Sequence, residues 1–299
     1  MSINTAKPQH QRNSHGKPPS VFRKTFLPLL VIIVGMLVML YPVYASQWNN
    51  FQQHRISQRY QEDIQQADPH KLSEAVEKAR EYNKQHTNGP ILDPWLARVN
   101  EDNTEYRDYL AQLSGQSAMS IVSIPSIESQ LPVYHGTTDE VLQKGLGHLY
   151  GSALPVGGKG FHSVITGHTG LSNATLFDNL IDVKKGDAIY VSTFGEKLKY
   201  QVFDTEVVLP DQIDGLKAKP GQDLLTLVTC TPYGVNTHRL LVHAKRVPLD
   251  PSDEEAFSNK GWKIQPWMWG LMALALAIIT ILVWWIRREK RKVESLESK

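Results

Sequence analysis

The chain has 299 residues, with 32 Lys+Arg, 30 Asp+Glu and one cysteine, for a formal net charge of +2. A single cysteine excludes an intrachain disulfide framework, a multi-cysteine zinc site and a Cys-x-x-Cys redox motif. The near-zero charge argues against a nucleic-acid binder, and 41% hydrophobic residues exclude wholesale disorder.

That average conceals a partition. Residues 1–25 carry five basic residues (Lys7, Arg12, Lys17, Arg23, Lys24) and no acidic one, and 287–299 carry six basic against three acidic. The intervening 46–266 holds the compensating net −6. Two uncharged apolar stretches, 26–45 and 267–286, separate these regions, each long enough to cross ~30 Å of hydrocarbon as a helix. Trp267, Trp269, Trp284 and Trp285 sit at the ends of the second, where interfacial anchors are expected. A buried core helix is the soluble alternative, and the length of the uncharged run argues against it. Basic flanks mark the cytoplasmic side, so both tails are expected inside and 46–266 outside a cell membrane. Val43-Tyr44-Ala45 resembles a signal-peptidase site, which leaves open whether the first segment is retained or cleaved.

Residues 1–25 read as a basic, disordered tail, and residues 46–115 read as helical. Leu72, Ala75, Val76, Ala79 and Tyr82 recur at helical spacing, an amphipathic stripe. Asp68-Pro69 supplies an N-cap and a proline at the first helical position, and Asn88-Gly89-Pro90 ends the element. Residues 91–100 read as irregular, and 101–113 as a short further helix. From residue 116 to 250 the texture changes to short β-like runs separated by Gly, Pro, Asn and Asp: 119–124, 161–166, 188–193, 199–208, 224–229 and 238–247. This spacing predicts a mainly β domain, closed or sandwiched. Residues 251–266 read as a linker to the second apolar stretch, and 287–299 as its basic tail.

Cys230 ends the apolar run 224–229, and after the loop Thr231-Pro232-Tyr233-Gly234-Val235-Asn236 a second run begins at Thr237-His238-Arg239. Pairing of the two runs as a hairpin brings Cys230 and Arg239 together. By period-two alternation Leu240, Val242 and Ala244 share one face, and Arg239, Leu241 and His243 the other. A thiol near a cation has the makings of a nucleophile, because positive charge favours the thiolate. A buried structural cysteine fits the spacing equally well. Among eleven histidines, His168 stands between Gly167 and Gly170 at the end of a predicted strand, where a turn presents a side chain at a rim. His162, His238 and His243 compete with it, and His162 and His238 read as wall residues within strands. A metal site among them lacks a recognised ligand spacing.

These residues carry a resemblance. Thr226-Leu227-Val228-Thr229-Cys230 resembles the sortase nucleophile motif Thr-Leu-x-Thr-Cys, and Thr229 through Leu240 resembles the corresponding segment of class C, or pilin-polymerising, sortases. Thr166-Gly167-His168-Thr169-Gly170-Leu171 is similar to the family's histidine segment, and the order His, Cys, Arg is the family's. Papain-like peptidases have Cys before His. Outside residues 120–248, Asp93-Pro94-Trp95 resembles the class C lid motif, here placed in 91–97, and the second apolar span with its basic tail matches that class.

The resemblance implies a closed β-barrel of about eight strands with peripheral helices, without metal or cofactor. It implies a membrane-anchored cysteine transpeptidase, with Cys230 as nucleophile, His168 as acid and base, and Arg239 holding the carbonyl or oxyanion. Thr229 and Thr231 are expected to line the site, while Asp93 pairs with Arg239 and Trp95 covers Cys230 in a closed lid. The implied partners are pilin subunits bearing a Leu-Pro-x-Thr-Gly-like signal and an acceptor lysine. Two alternatives stand beside this one. A housekeeping sortase would use a cell-wall precursor as acceptor. A non-enzymatic membrane-anchored scaffold would leave Cys230 inert.

Overall fold

The computed structural model describes residues 27–86, 103–212, 214–258 and 264–297. Eight strands form a closed barrel in the order β1-β2-β3-β4-β7-β8-β6-β5. They are β1 (Ser120–Ile124), β2 (Ser129–His135), β3 (Leu146–His148), β4 (Phe161–Thr166), β5 (Ala188–Thr193), β6 (Glu196–Val208), β7 (Asp223–Thr231) and β8 (His238–Val247). Pairing is antiparallel except for β2 with β3 and β4 with β7. Closure through β1 and β5 removes the sheet edges that an open sheet of this size would expose.

Six of these strands follow the β-like runs in the sequence. β2 and β3 do not, because β2 contains Pro132 and β3 has only three residues. The barrel interior is filled by alternate residues, among them Val122, Val133, Ile165, Ile189, Val191, Leu225, Leu227 and Val242, each at most 1% exposed. A full set of buried β-branched and leucine side chains stabilises by about 1.5–3 kcal/mol each relative to exposure.

The chain divides into two compact units, one of 42–270 and the other of the flanking ends up to Tyr41 and from Leu271. Two helices are long and apolar enough to cross a membrane: α1 (Leu27–Gln66) and the stretch Pro266–Arg288 of the last helix. α1 runs unbroken past the expected end of its apolar segment at residue 45, and Pro42 lies inside it. Its lower half buries Ser46, Asn50, Gln53, Ser57 and Tyr60, spaced three and four apart along one face. That stripe is polar, so no apolar periodicity marks it in the sequence. Three of its residues hydrogen-bond to the domain, and Tyr60 also packs against Ala118 and Ile121. Asn50 Nδ2 donates to Thr175 Oγ1 (3.1 Å), Ser46 Oγ to the Ser172 carbonyl (3.4 Å), and Tyr60 Oη accepts from the Phe194 N–H (2.7 Å).

α2 (Pro69–His86) begins where the sequence places it, with the Asp68 side chain accepting from the His70 N–H at 2.9 Å. It buries Leu72, Val76 and Ala79, and its last inward residue, Asn83, exchanges two hydrogen bonds with the backbone of Leu154. α3 (Thr104–Ala111) is capped by Asn103 and inserts Tyr109, whose hydroxyl meets the Gly136 N–H and the ring and carbonyl of His148. α4 (Asp139–Lys144) links β2 to β3, and α5 (Glu254–Phe257) follows β8. The last helix, α6 (Pro266–Glu297), meets α1 at its start, where Gln47 Nε2 lies 3.0 Å from Met268 Sδ.

Candidate active site

β7 is the central strand of the site, with β4 on one side and β8 on the other. Cys230 lies near its end and is directly opposite Arg239 in the antiparallel β7–β8 ladder. Directly opposed residues have Cβ atoms roughly 4.5–5.5 Å apart, so the hairpin sets the cation beside the thiol. Both side chains are buried, Cys230 at 6% and Arg239 at 8% exposure. Arg239 Nη1 donates to the carbonyls of Asn236 and His238, both at 3.2 Å, which orients the guanidinium from its own loop.

His168 enters from the other flank. The β4–β7 ladder runs in register to Thr166 and Val228, and the Gly167 N–H extends it by donating to the Val228 carbonyl at 3.0 Å. His168 follows next, beside the Cys230 end of β7. Gly167 is demanded by packing, since a Cβ there would stand 2.6 Å from Leu146 Cδ2 and 2.7 Å from Phe177 Cδ2. Beyond the histidine, Gly170 has φ +78°, and a Cβ on it would lie 3.1 Å from the Gly234 N. The histidine loop and the β7–β8 loop are therefore packed backbone on backbone through two glycines.

The His168 imidazole is half-buried. Burial pushes its pKa below the ordinary value, and the negative charge of Asp139 opposes that shift. Its backbone carbonyl accepts from the Phe177 N–H at 3.0 Å. Asp178, the next residue, accepts from the Gly170 N–H (2.8 Å) and the Thr169 hydroxyl (3.1 Å) through one carboxylate oxygen. Burial raises its carboxyl to about 6, against the effect of those two donors. Its only forewarning in the sequence was a polar turn, Phe177-Asp178-Asn179, after the histidine segment.

Thr229 and Thr231 occupy the opposite parity of β7 from Cys230, with Leu225 and Leu227. Thr229 acts on the site from behind: its hydroxyl donates to the Gly167 carbonyl at 2.7 Å, one residue before His168. His162 and His243 form part of a buried row on the same parity as Cys230. His162 Nδ1 meets the Lys217 carbonyl (3.1 Å) and its Nε2 meets Thr226 Oγ1 (2.7 Å). Thr226 Oγ1 meets His243 Nδ1 (2.8 Å), and His243 Nε2 meets Glu206 (3.0 Å). His238 contacts Thr237 Oγ1 at 2.9 Å. Between this row and Cys230 lies an apolar patch of Val164, Val228, Leu241, Leu149 and Leu216. Asp93, Pro94 and Trp95 lie outside the described residues.

A closed barrel in which adjacent strands carry His168, Cys230 and Arg239 to one end defines a sortase-type protein. Residues 122–247 match the sortase domain family. Among solved structures, the chain is 52% identical to sortase C-1 of Actinomyces oris, covering 60% of this chain and 99% of that one, with a TM-score of 0.58. It is 51% identical to sortase A of Corynebacterium diphtheriae, over 70% of this chain and 100% of that one, with a TM-score of 0.62. With sortase C of Streptococcus pneumoniae the values are 37%, 65% and 97%, with a TM-score of 0.60. The chain spans 59–64% of the length of the curated relatives it matches. The chain belongs to the sortase family, and its structural neighbours place it with class C.

Proposed function

We propose that this protein is a membrane-anchored cysteine transpeptidase that joins pilin subunits. The observation that carries the reading is the cross-strand pair Cys230–Arg239 with His168 at the end of the neighbouring parallel strand. The Cys230 thiolate adds to the Thr–Gly carbonyl of a Leu-Pro-x-Thr-Gly-like signal. Arg239, cationic at any working pH, stabilises the oxyanion. Collapse expels the glycine amine, which takes the proton of the His168 imidazolium, and leaves a thioester on Cys230. An imidazolium weakened by burial gives up that proton readily. Neutral His168 then accepts a proton from an incoming lysine amine as it attacks the thioester. An isopeptide bond forms, and the thiolate and imidazolium are restored.

The class C neighbours support pilin as substrate, and sortase C of Streptococcus pneumoniae has been described in terms of pilin substrate specificity. The two apolar helices and the basic tails support two membrane passes, with 46–266 on the outer side and both tails in the cytoplasm.

The full chain in lipid nanodiscs, incubated with pilin fragments carrying a sorting signal and candidate lysines, tests this reading. Mass spectrometry should find a thioester on Cys230 and a Thr–Lys isopeptide product. Transfer to a cell-wall precursor in preference to lysine would instead make the protein a housekeeping sortase. Absence of any thioester would sink the enzymatic reading.

A further inference from the structure

We propose that Asp178 is a positioning residue for His168, holding the loop that carries the imidazole against the loop that follows Cys230. The inference rests on the transpeptidase reading above and deepens it.

Four anchors hold the histidine loop: the Phe177 N–H holds the His168 carbonyl itself, and the others each fix a different part of the chain around it. The β7 side fixes the chain before His168, through the Gly167–Val228 bond and the Thr229 hydroxyl. α1 fixes the far part, through Ser46 and Asn50 on Ser172 and Thr175. The two residues immediately after His168 have neither support. Thr169 and Gly170 are held by a single carboxylate oxygen, Asp178 Oδ1, which accepts from both. Gly170 also packs close enough to Gly234 that a Cβ on it would stand 3.1 Å from the Gly234 N. Asp178 therefore ties together the exit of the histidine and the rim of the cysteine hairpin.

The carboxylate suits the task because one charged oxygen accepts two donors more strongly than a neutral one does. Asp178 lies on the short turn Asp178–Asp182, whose preceding residue, Phe177, already holds the His168 carbonyl. Tyr233 of the β7–β8 loop is a titratable neighbour, with a phenol pushed above its ordinary value by burial and by Asp178 itself. α1 contributes Ser46 and Asn50 to the segment. Asp139 acts on the imidazole rather than on Asp178. Because the carboxyl ionises near pH 6, the clamp is charged at neutral pH and weakens as the carboxyl is protonated on acidification.

The test compares Asp178→Ala and Asp178→Asn with the parent, each as the full chain in nanodiscs and each checked for an unchanged melting temperature. Asp178→Ala should lower kcat for transpeptidation by about tenfold with KM within about twofold, since misplacing a catalytic group costs rate before binding. Asp178→Asn retains an acceptor oxygen and should restore most of the rate at pH 7.5. It should also lose the part of the acid limb near pH 6 that belongs to the carboxyl. Independently of turnover, the Gly170 amide resonance should titrate near pH 6 in the parent and stop doing so in Asp178→Asn. Parental kcat in a folded Asp178→Ala, with the Gly170 titration present in the parent, would overturn the positioning role and leave the sortase reading intact. A parent that forms no thioester would overturn the sortase reading, and the positioning role with it.

Discussion

On the inner face of β4, β7 and β8, Ile165, Leu225, Leu227, Leu240, Val242 and Ala244 are each at most 7% exposed. On the outer face of the same strands, His162, Thr226, Cys230, Arg239 and His243 are at most 8% exposed. Burial does not distinguish the two faces, but composition partly does: the inner face is mainly apolar, with Thr229 and Thr231 at its end, while the outer face mixes polar groups with the patch of Val164, Val228 and Leu241. The inner face is covered by the rest of the barrel and gains its stability from apolar contact. The outer face is covered by short segments such as that around Leu216 and by Leu149, and its polar groups are tolerated because they are paired. The outer face also carries Cys230 opposite Arg239. There, directed hydrogen bonds set orientation and the core behind them stays intact.

The largest break of this contrast is Cys230→Ala. It should abolish thioester capture and lower transpeptidation by about 10⁴-fold or more, while the melting temperature stays close to the parent's. Surviving turnover would move the nucleophile elsewhere. Leu227→Ala, on the inner face and 0% exposed, should do the reverse. It should cost about 2–5 kcal/mol in denaturant unfolding with little change in specific activity of the folded fraction. A loss of activity without loss of stability would refute the separation of the faces.

Thr226→Val is nearly isosteric but removes the hydroxyl that links His162 to His243. It should cost about 1–3 kcal/mol, because both rings lose a buried partner. A neutral result would mean that the row does not hold the outer face together.

The smallest effect is a slope with pH. Burial lowers the pKa of His148 and His162 to about 4, so both stay neutral in the fold while the unfolded chain takes up protons near the ordinary 6.5. The unfolded state thus binds more protons between those values, and stability falls as pH drops from 7 toward 4. Asp178 has the opposite sign. Its raised carboxyl contributes stability at low pH that is lost as pH rises through about 6, so it offsets part of the slope. Urea midpoints between pH 7 and 4.5 should decline, more steeply in Asp178→Asn. A midpoint that rises on acidification would contradict neutral buried histidines.

Much of this was legible in the sequence, for identifiable reasons. Runs rich in Val, Ile, Thr and Leu bounded by turn residues, such as β4 and β8, announced themselves, and the parity of Leu240, Val242 and Ala244 against Arg239 followed from the pleat alone. The N-cap and proline at residues 68–69 marked the start of α2. The two apolar helices were visible from length and lack of charge. What escaped were elements whose partners lie far away in the chain. β3 is three residues held between β2 and β4, and the buried stripe of α1 is polar, so neither has a local pattern to read. Thr229, which the resemblance implies lines the site, directs its hydroxyl to the Gly167 carbonyl.

The sequence by itself determined the chemistry available to this protein. It supplied one thiol and placed an arginine nine residues on, across a turn. It also set a histidine among glycines and kept a net positive charge at each end of the chain. Those facts are local, because alternation, turn residues and charge runs act over a few residues. Only the tertiary structure decided which histidine lies at the Cys230 end of β7, because β4 and β7 pair in parallel across nearly sixty residues of chain. It also decided that Asp178, in an unremarked polar turn, closes on Thr169 and Gly170. Such long-range contacts depend on barrel closure, and nothing in the chemistry of either segment alone announces them.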